Sequence, residues 1–353
     1  MTDASSRIAV VILNWNGKSF LERFLPGVLL SCKGIAELIV ADNSSSDDSV
    51  VFLRQNFPEV RIIELQENHG YTGGYNEALA LVNSEYYILL NSDVEVEGDW
   101  INPVVRLMDS NKKIAACQPK ILSQSTTDEF EYAGAAGGYI DKLGFPFCRG
   151  RIFNSIEKDN GQYDVSTPVF WASGACMFVR ASAFHEFNGF DEHFFAHMEE
   201  IDLCWRLQNS GYEIWYCADS KVYHVGGGTL PKHNPKKTYL NFRNNLFLLY
   251  KNTSVKEFKK LIFYRRILDA IAAIKFLLSN GSKDCLAVFK AHRDFEKGKT
   301  RYRMQPSSTK NPEIQQNRMI YQKSILFAYY FRGIKKFSDL KGSLGNPVKA
   351  PEL

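Results

Sequence analysis

The first hundred residues alternate short apolar runs with stretches of helical length. Residues 8–13, 37–41, 61–65 and 86–90 are rich in Val, Ile, Leu or Tyr and predict strands. Residues 19–30, 47–57 and 74–83 lie between them and predict helices. Strands alternating with helices imply βαβ units and a mostly parallel sheet covered on both faces. Ligands of such sheets bind beyond the carboxyl ends of the strands. Polar clusters sit at those ends: Asn14-Trp15-Asn16, Asp42-Asn43 and Asn91-Ser92-Asp93.

Past Asp99 the pattern loosens. Residues 114–122 and 175–179 read as strands, 199–209 as a helix and 212–218 as a strand. Residues 123–168, rich in Gly, Ser, Thr and Asp, read as long loops. From about residue 239 the reading is helical. Phe258, Leu261, Ile262, Leu268, Ile271 and Ala272 fall at helix spacing beside Lys259, Lys260, Arg265 and Arg266. Residues 304–313 read as a linker, and no internal repeat is visible. The expected division is an α/β nucleotide-binding domain over 1–250 and a mainly helical region over 251–353.

Composition adds a charge split. The chain's net charge is +4, but residues 251–353 carry +14 and residues 1–250 carry −10. The two regions are therefore expected to meet different partners. Nucleic acid is discounted, because no recognition motif accompanies the basic charge. A packed helical cap, or contact with an anionic membrane, fits better. No apolar stretch reaches the ~18 residues of a membrane span, and no cleavable leader is evident. Seven dispersed cysteines without CxxC spacing predict free thiols in a reducing compartment, hence a cytoplasmic protein.

Several residues could carry chemistry. Asp42, at a strand tip, could accept hydrogen bonds from a nucleobase or ribose, although alone it reads as a turn acid. Trp15 could stack on a base or simply pack. The run from Asn68 to Asn76 crowds Gly70, Gly73 and Gly74 into one strand-to-helix connection. A helix starting near Gly74 would turn free N–H groups toward a diphosphate. Asp93 could ligate a hard divalent cation. Glu199, Glu200 and Asp202 open a helix, where acids suit the dipole and one carboxylate could serve as a general base. His224 precedes a glycine run and could be a metal ligand or structural.

As a set, these stretches resemble glycosyltransferase family 2, inverting enzymes of the GT-A fold, in its rhamnosyltransferase-like bacterial branch. The matching segments are residues 10–16, 40–45, 67–76, 89–93, 173–175, 189–192, 199–207 and His224, in family order. The resemblance implies that Trp15 and Asp42 hold the nucleobase. Asn68, Gly70, Gly74 and Asn76, with Asn91, Trp171, Gly174 and Asp202, would line the substrate site. Asp93 and His224 would bind Mn²⁺ or Mg²⁺. The base would be Glu200, with Glu199 the alternative. The donor would be a UDP- or dTDP-sugar and the acceptor a glycan or lipid-linked glycan, in cell-surface polysaccharide synthesis. Asn91 stands where an aspartate is often found, and Glu200 where the family often has Asp.

Other classes fit less well. A dinucleotide-dependent oxidoreductase would need G-x-G-x-x-G where Asn14-Trp15-Asn16-Gly17 stands. A nucleotidyltransferase shares the metal and nucleotide needs. A non-catalytic glycan-binding scaffold would have lost the metal carboxylate or the base.

Overall fold

The computed structural model describes residues 6–226, 234–279, 281–302 and 319–340. The expected linker at 304–313 lies outside them. Four parallel strands build the nucleotide-binding half: β1 (Ile8–Asn14), β2 (Glu37–Asp42), β3 (Arg61–Glu64) and β4 (Tyr86–Asn91), in spatial order 3-2-1-4. The central ones are buried on both faces, which is why they read as unbroken apolar runs. Odd positions such as Val11 and Ile39 face one core, and even positions such as Val10 and Val40 face the other. Register sets Asn14 beside Asp42 and Leu13 beside Asn91, so the polar tips converge on one edge.

The sheet continues with β12 (Cys176–Arg180) antiparallel to β4, then β6 (Ile114–Ser123), β13 (Glu213–His224) and β11 (Thr167–Val169). A short β5 (Val94–Val96) pairs with the end of β13. β13 runs further than expected. His224 is its last residue and aligns with Val94 across the pair.

The loop reading of 123–168 is corrected. That segment holds β7 (Gly138–Asp141), β8 (Pro146–Cys148), β9 (Arg151–Ile152) and β10 (Ser155–Ile156), which with β14 (Ile320–Tyr321) form a second sheet. Strands of two to four residues carry too little alternation to register as a pattern.

Among the helices, α1 (Lys18–Cys32) and α2 (Ser49–Asn56) follow β1 and β2. The next, α3 (Gly70–Leu79), begins four residues earlier than expected. After α4 (Asn102–Ser110) and α5 (Ala181–Glu186) comes α6 (Glu199–Asn209), as read from the sequence. Three helices then run in succession: α7 (Pro235–Asn252), α8 (Val255–Ser279) and α9 (Ser282–Gly298). Ser254 and Glu257 exchange side-chain-to-backbone bonds that cap the start of α8. A short α10 (Ile325–Tyr330) and a single 3-10 turn (Phe337–Asp339) follow. The expected boundary at residue 250 falls inside α7, and β14 pairs with β7, so residues on its two sides share a helix and a sheet.

Candidate active site

At the tip of β1, the buried Asn14 amide donates to Asp42 Oδ1 at 2.9 Å. Asp42 Oδ2 accepts the Ser45 N–H at 2.8 Å. This fixes the carboxylate at the sheet edge and leaves spare lone pairs. Trp15, next along, is 47% exposed, an unusual state for an indole. About half of the residue is open to solvent.

The loop before α3 is held from β2. Asn43 donates to Asn68 Oδ1 and the Gly70 carbonyl, and accepts the His69 N–H. Gly70 has φ +70°, and a Cβ there would lie 2.5 Å from the Phe195 carbonyl oxygen. The reading of a free helix N-terminus is corrected, because the Tyr71 and Thr72 N–H groups both donate to that carbonyl. Gly74 packs against Leu13 and Asn43, and serves close packing. Asn76 is likewise engaged: its amide donates to the Phe190 carbonyl at 2.8 Å and accepts the Phe190 N–H at 2.9 Å.

Two further assignments are corrected. Asp202 is fully buried among Arg206, Lys251 and Asn252, at 2.8–2.9 Å. Burial opposes its charge, but the two cations outweigh this and hold the carboxyl below its ordinary range. Trp171 lies in the core, its N–H on the Tyr139 carbonyl and its ring against Gly138. Neither is open to a substrate.

Beyond β4 and β13 the structure joins residues distant in sequence. His224 Nε2 lies 3.1 Å from Asp93 Oδ1 and 3.4 Å from the Asn91 amide. Sequence reasoning missed Glu131, whose Oε1 lies 3.4 Å from the opposite ring nitrogen, Nδ1. Glu131 sits in the segment read as loop, close to Asp128 and Glu129, and nothing in the sequence set it apart from them. Burial works against a charged imidazole, but bonds to Asp93 and Glu131 outweigh it and hold the His224 pKa up at about 10.

The pair fits a cation. Asp93 Oδ1 and His224 Nε2 converge at 3.1 Å, and a divalent cation held by both would take the place of the proton between them. Glu131 faces the buried Nδ1 at 3.4 Å, as carboxylates do behind histidines that ligate through the other nitrogen. Among the described residues no group of three or more His, Cys, Asp or Glu forms a closed cage. Substrate oxygens would have to complete the coordination.

Glu199 and Glu200 open α6 after a strained approach. Phe195, His197 and Met198 all have positive φ, between 64° and 74°. Such residues persist only when their surroundings over-determine them. Buried Asn244 of α7 does so, donating to the carbonyls of Phe194, Ala196 and His197 at 2.8–2.9 Å. Each glutamate has a buried Oε2 without a hydrogen bond. Burial raises the Glu199 pKa, helped by Glu200, and burial pushes Glu200 up to about 7. Glu199 is buried, whereas Glu200 is half-buried.

These parts meet. Tyr71, whose phenol is raised by burial and by Tyr75, Glu199 and Glu200, donates to the Gly174 carbonyl at 2.8 Å. The adjacent Ala175 carbonyl accepts the Asn91 N–H. Burial pushes the nearby Cys148 thiol up, with the Glu131 and Glu200 carboxylates adding to it.

Residues 9–187, half of the chain, match the sequence model of Glycosyl transferase family 2. The chain belongs to that family. It is 28% identical over 242 residues to N-acetylglucosaminyl-diphospho-decaprenol L-rhamnosyltransferase of Mycobacterium tuberculosis, covering 64% of this chain and 76% of that protein. It is 22% identical over 278 residues to the rhamnosyltransferase WbbL of Escherichia coli K12, covering 76% and 98%. A hexosyltransferase of low-salt glycan biosynthesis from Haloferax volcanii is 26% identical over 245 residues, covering 67% and 73%. The fold superimposes on a structure of GalNAc-T7 with UDP, GalNAc and Mn²⁺, with TM-score 0.54 and 16% identity, over 83% of this chain and 55% of that one. The protein is a glycosyltransferase of the GT-A fold and of rhamnosyltransferase-like type.

Proposed function

We propose that the protein transfers rhamnose or another hexose, with inversion, from a UDP- or dTDP-sugar to a hydroxyl of a glycan or lipid-linked acceptor. The observation that carries this is the meeting of Asp93 and His224 at 3.1 Å beyond the strand tips, on the edge that also bears Asp42. Asp93 and His224 would hold Mn²⁺ or Mg²⁺, which when bound neutralises charge on the departing diphosphate. The GalNAc-T7 structure with Mn²⁺ supports a divalent ion.

In this reading Trp15 stacks on the base and Asp42 accepts from its edge. Asn91 and Gly174 border the donor pocket, and Asn68 and Gly70 shape its wall. Glu200 takes the proton of the acceptor hydroxyl as that oxygen attacks the anomeric carbon. A raised pKa suits a base working near neutrality. Its greater exposure favours Glu200 over Glu199 for reaching an acceptor. One displacement gives inversion.

The relative acting on a diphospho-decaprenol acceptor supports a lipid-linked acceptor in cell-surface polysaccharide synthesis. Such an acceptor calls for a peripheral enzyme at the inner face of a membrane, and no described helix is long and apolar enough to cross one. The test is a panel of UDP- and dTDP-sugars incubated with and without glycan acceptors. Nucleoside diphosphate release that an acceptor stimulates supports transfer. Nucleotide-sugar synthesis from a sugar phosphate would make it a nucleotidyltransferase, and sugar binding without turnover would make it a scaffold.

A further inference from the structure

Helix α8 buries a charged pair between Phe258 and Ala273 on its inward face. Its inward face buries Arg265 and Asp269, only 2% and 1% exposed. The guanidinium bonds Asp269 at 3.1 Å, also reaches Asn245, and lies over the Phe145 ring. His292 of α9 approaches the other Asp269 oxygen at 2.9 Å. Polar residues thus hold α8 to the body of the protein. Arg265, read from the sequence as one of four basic residues flanking the apolar positions of this helix, is instead buried in this pairing.

The outward face carries the apolar residues. Phe263, Ile267, Ile271, Ile274 and Leu278 follow steps of four, four, three and four, and are 48–83% exposed. These steps trace one stripe along the helix. The stripe extends toward the N-terminus to the exposed Lys260 and Lys256, one and two turns before Phe263. At the other end Lys275 meets Tyr330 of α10, whose neighbours Phe327 and Phe331 stack outward at 5.3 Å. An apolar stripe in water on a helix with a buried ion pair reverses the usual arrangement.

From this we infer that the outer face of α8, extended by α10, docks in the interfacial layer of an anionic lipid membrane. At 25 residues α8 is long enough to cross a bilayer but not apolar enough, so it lies on the surface and does not span. Charge decides for an anionic lipid over a second copy of the chain. The stripe starts at lysines within a region of net charge +14, so two such faces would repel. The inference goes beyond sugar transfer and does not depend on it.

The test is co-sedimentation of the full chain with phosphatidylcholine vesicles, with and without one-quarter phosphatidylglycerol. The wild type pellets with the anionic vesicles at low salt, less at high salt, and little with neutral ones. Ile267→Asp with Ile271→Asp lowers partitioning on the order of tenfold or more, with an unchanged circular dichroism spectrum and an unchanged turnover of soluble acceptors. Lys256→Gln with Lys260→Gln weakens it and flattens the salt dependence. No pelleting at low salt overturns the inference, and so does the Asp pair pelleting like wild type. A concentration-dependent dimer that the Asp pair dissociates, without vesicle binding, assigns the face to a second copy and also overturns it.

Discussion

Glu131 and Asp93 face opposite nitrogens of one imidazole: His224 Nδ1 lies 3.4 Å from Glu131 Oε1, and Nε2 lies 3.1 Å from Asp93 Oδ1. Glu131 therefore orients the ring while Asp93 shares its working face. Glu131→Gln is expected to weaken Mn²⁺ affinity by about 10–100-fold, as loss of an outer partner usually does. Electron paramagnetic resonance titration of Mn²⁺ measures this without turnover. Unchanged affinity would leave Glu131 a structural acid.

Glu200→Gln should lower turnover by ~10²–10⁴ while donor affinity is kept. Glu199→Gln should fall less. A base works deprotonated, and burial raises the Glu200 pKa to about 7. The rate should therefore climb as pH rises toward 7 and level off above it. A reversed ranking of the two variants moves the base to Glu199. Proton NMR of the first-formed product should show the inverted anomer, and retention would rule out a single displacement.

Asn244 restrains the strained turn before α6. Asn244→Ala frees three carbonyls and should cost about 1–3 kcal/mol of stability. Urea denaturation reads that loss. Turnover should fall too, because the same turn aims Glu200.

Strands β1, β2 and β4 were legible because each is buried on both faces, so residues such as Val10 and Val11 were both required to be apolar, while edge strand β3 showed only its short run of Ile and Leu. The tips Asn14, Asp42 and Asp93 followed from the topology. Other features depended on long-range contact. Glu131 gains meaning only from a histidine 93 residues away, and Asn244 only from carbonyls of a turn about 50 residues earlier. The start of α3 was misplaced because Phe195, from another part of the chain, supplies its first acceptor. Asp202 looked like its neighbours Glu199 and Glu200, yet helical rotation turns it inward to Arg206 and Lys251. In α8 apolar periodicity was visible, but it could not say which face was inside.

The central claim is that Asp93 and His224 hold a cation on which glycosyl transfer depends. The most direct measurement is nucleoside diphosphate release from an active donor in Mn²⁺, in EDTA and after Mn²⁺ is restored, for the wild type and Asp93→Ala. Turnover should stop in EDTA and return with Mn²⁺. The folded Asp93→Ala protein should be slower by on the order of 10³, since a cation supplies several kcal/mol to the transition state. Equal turnover in EDTA, or near-normal turnover by Asp93→Ala, would contradict the account.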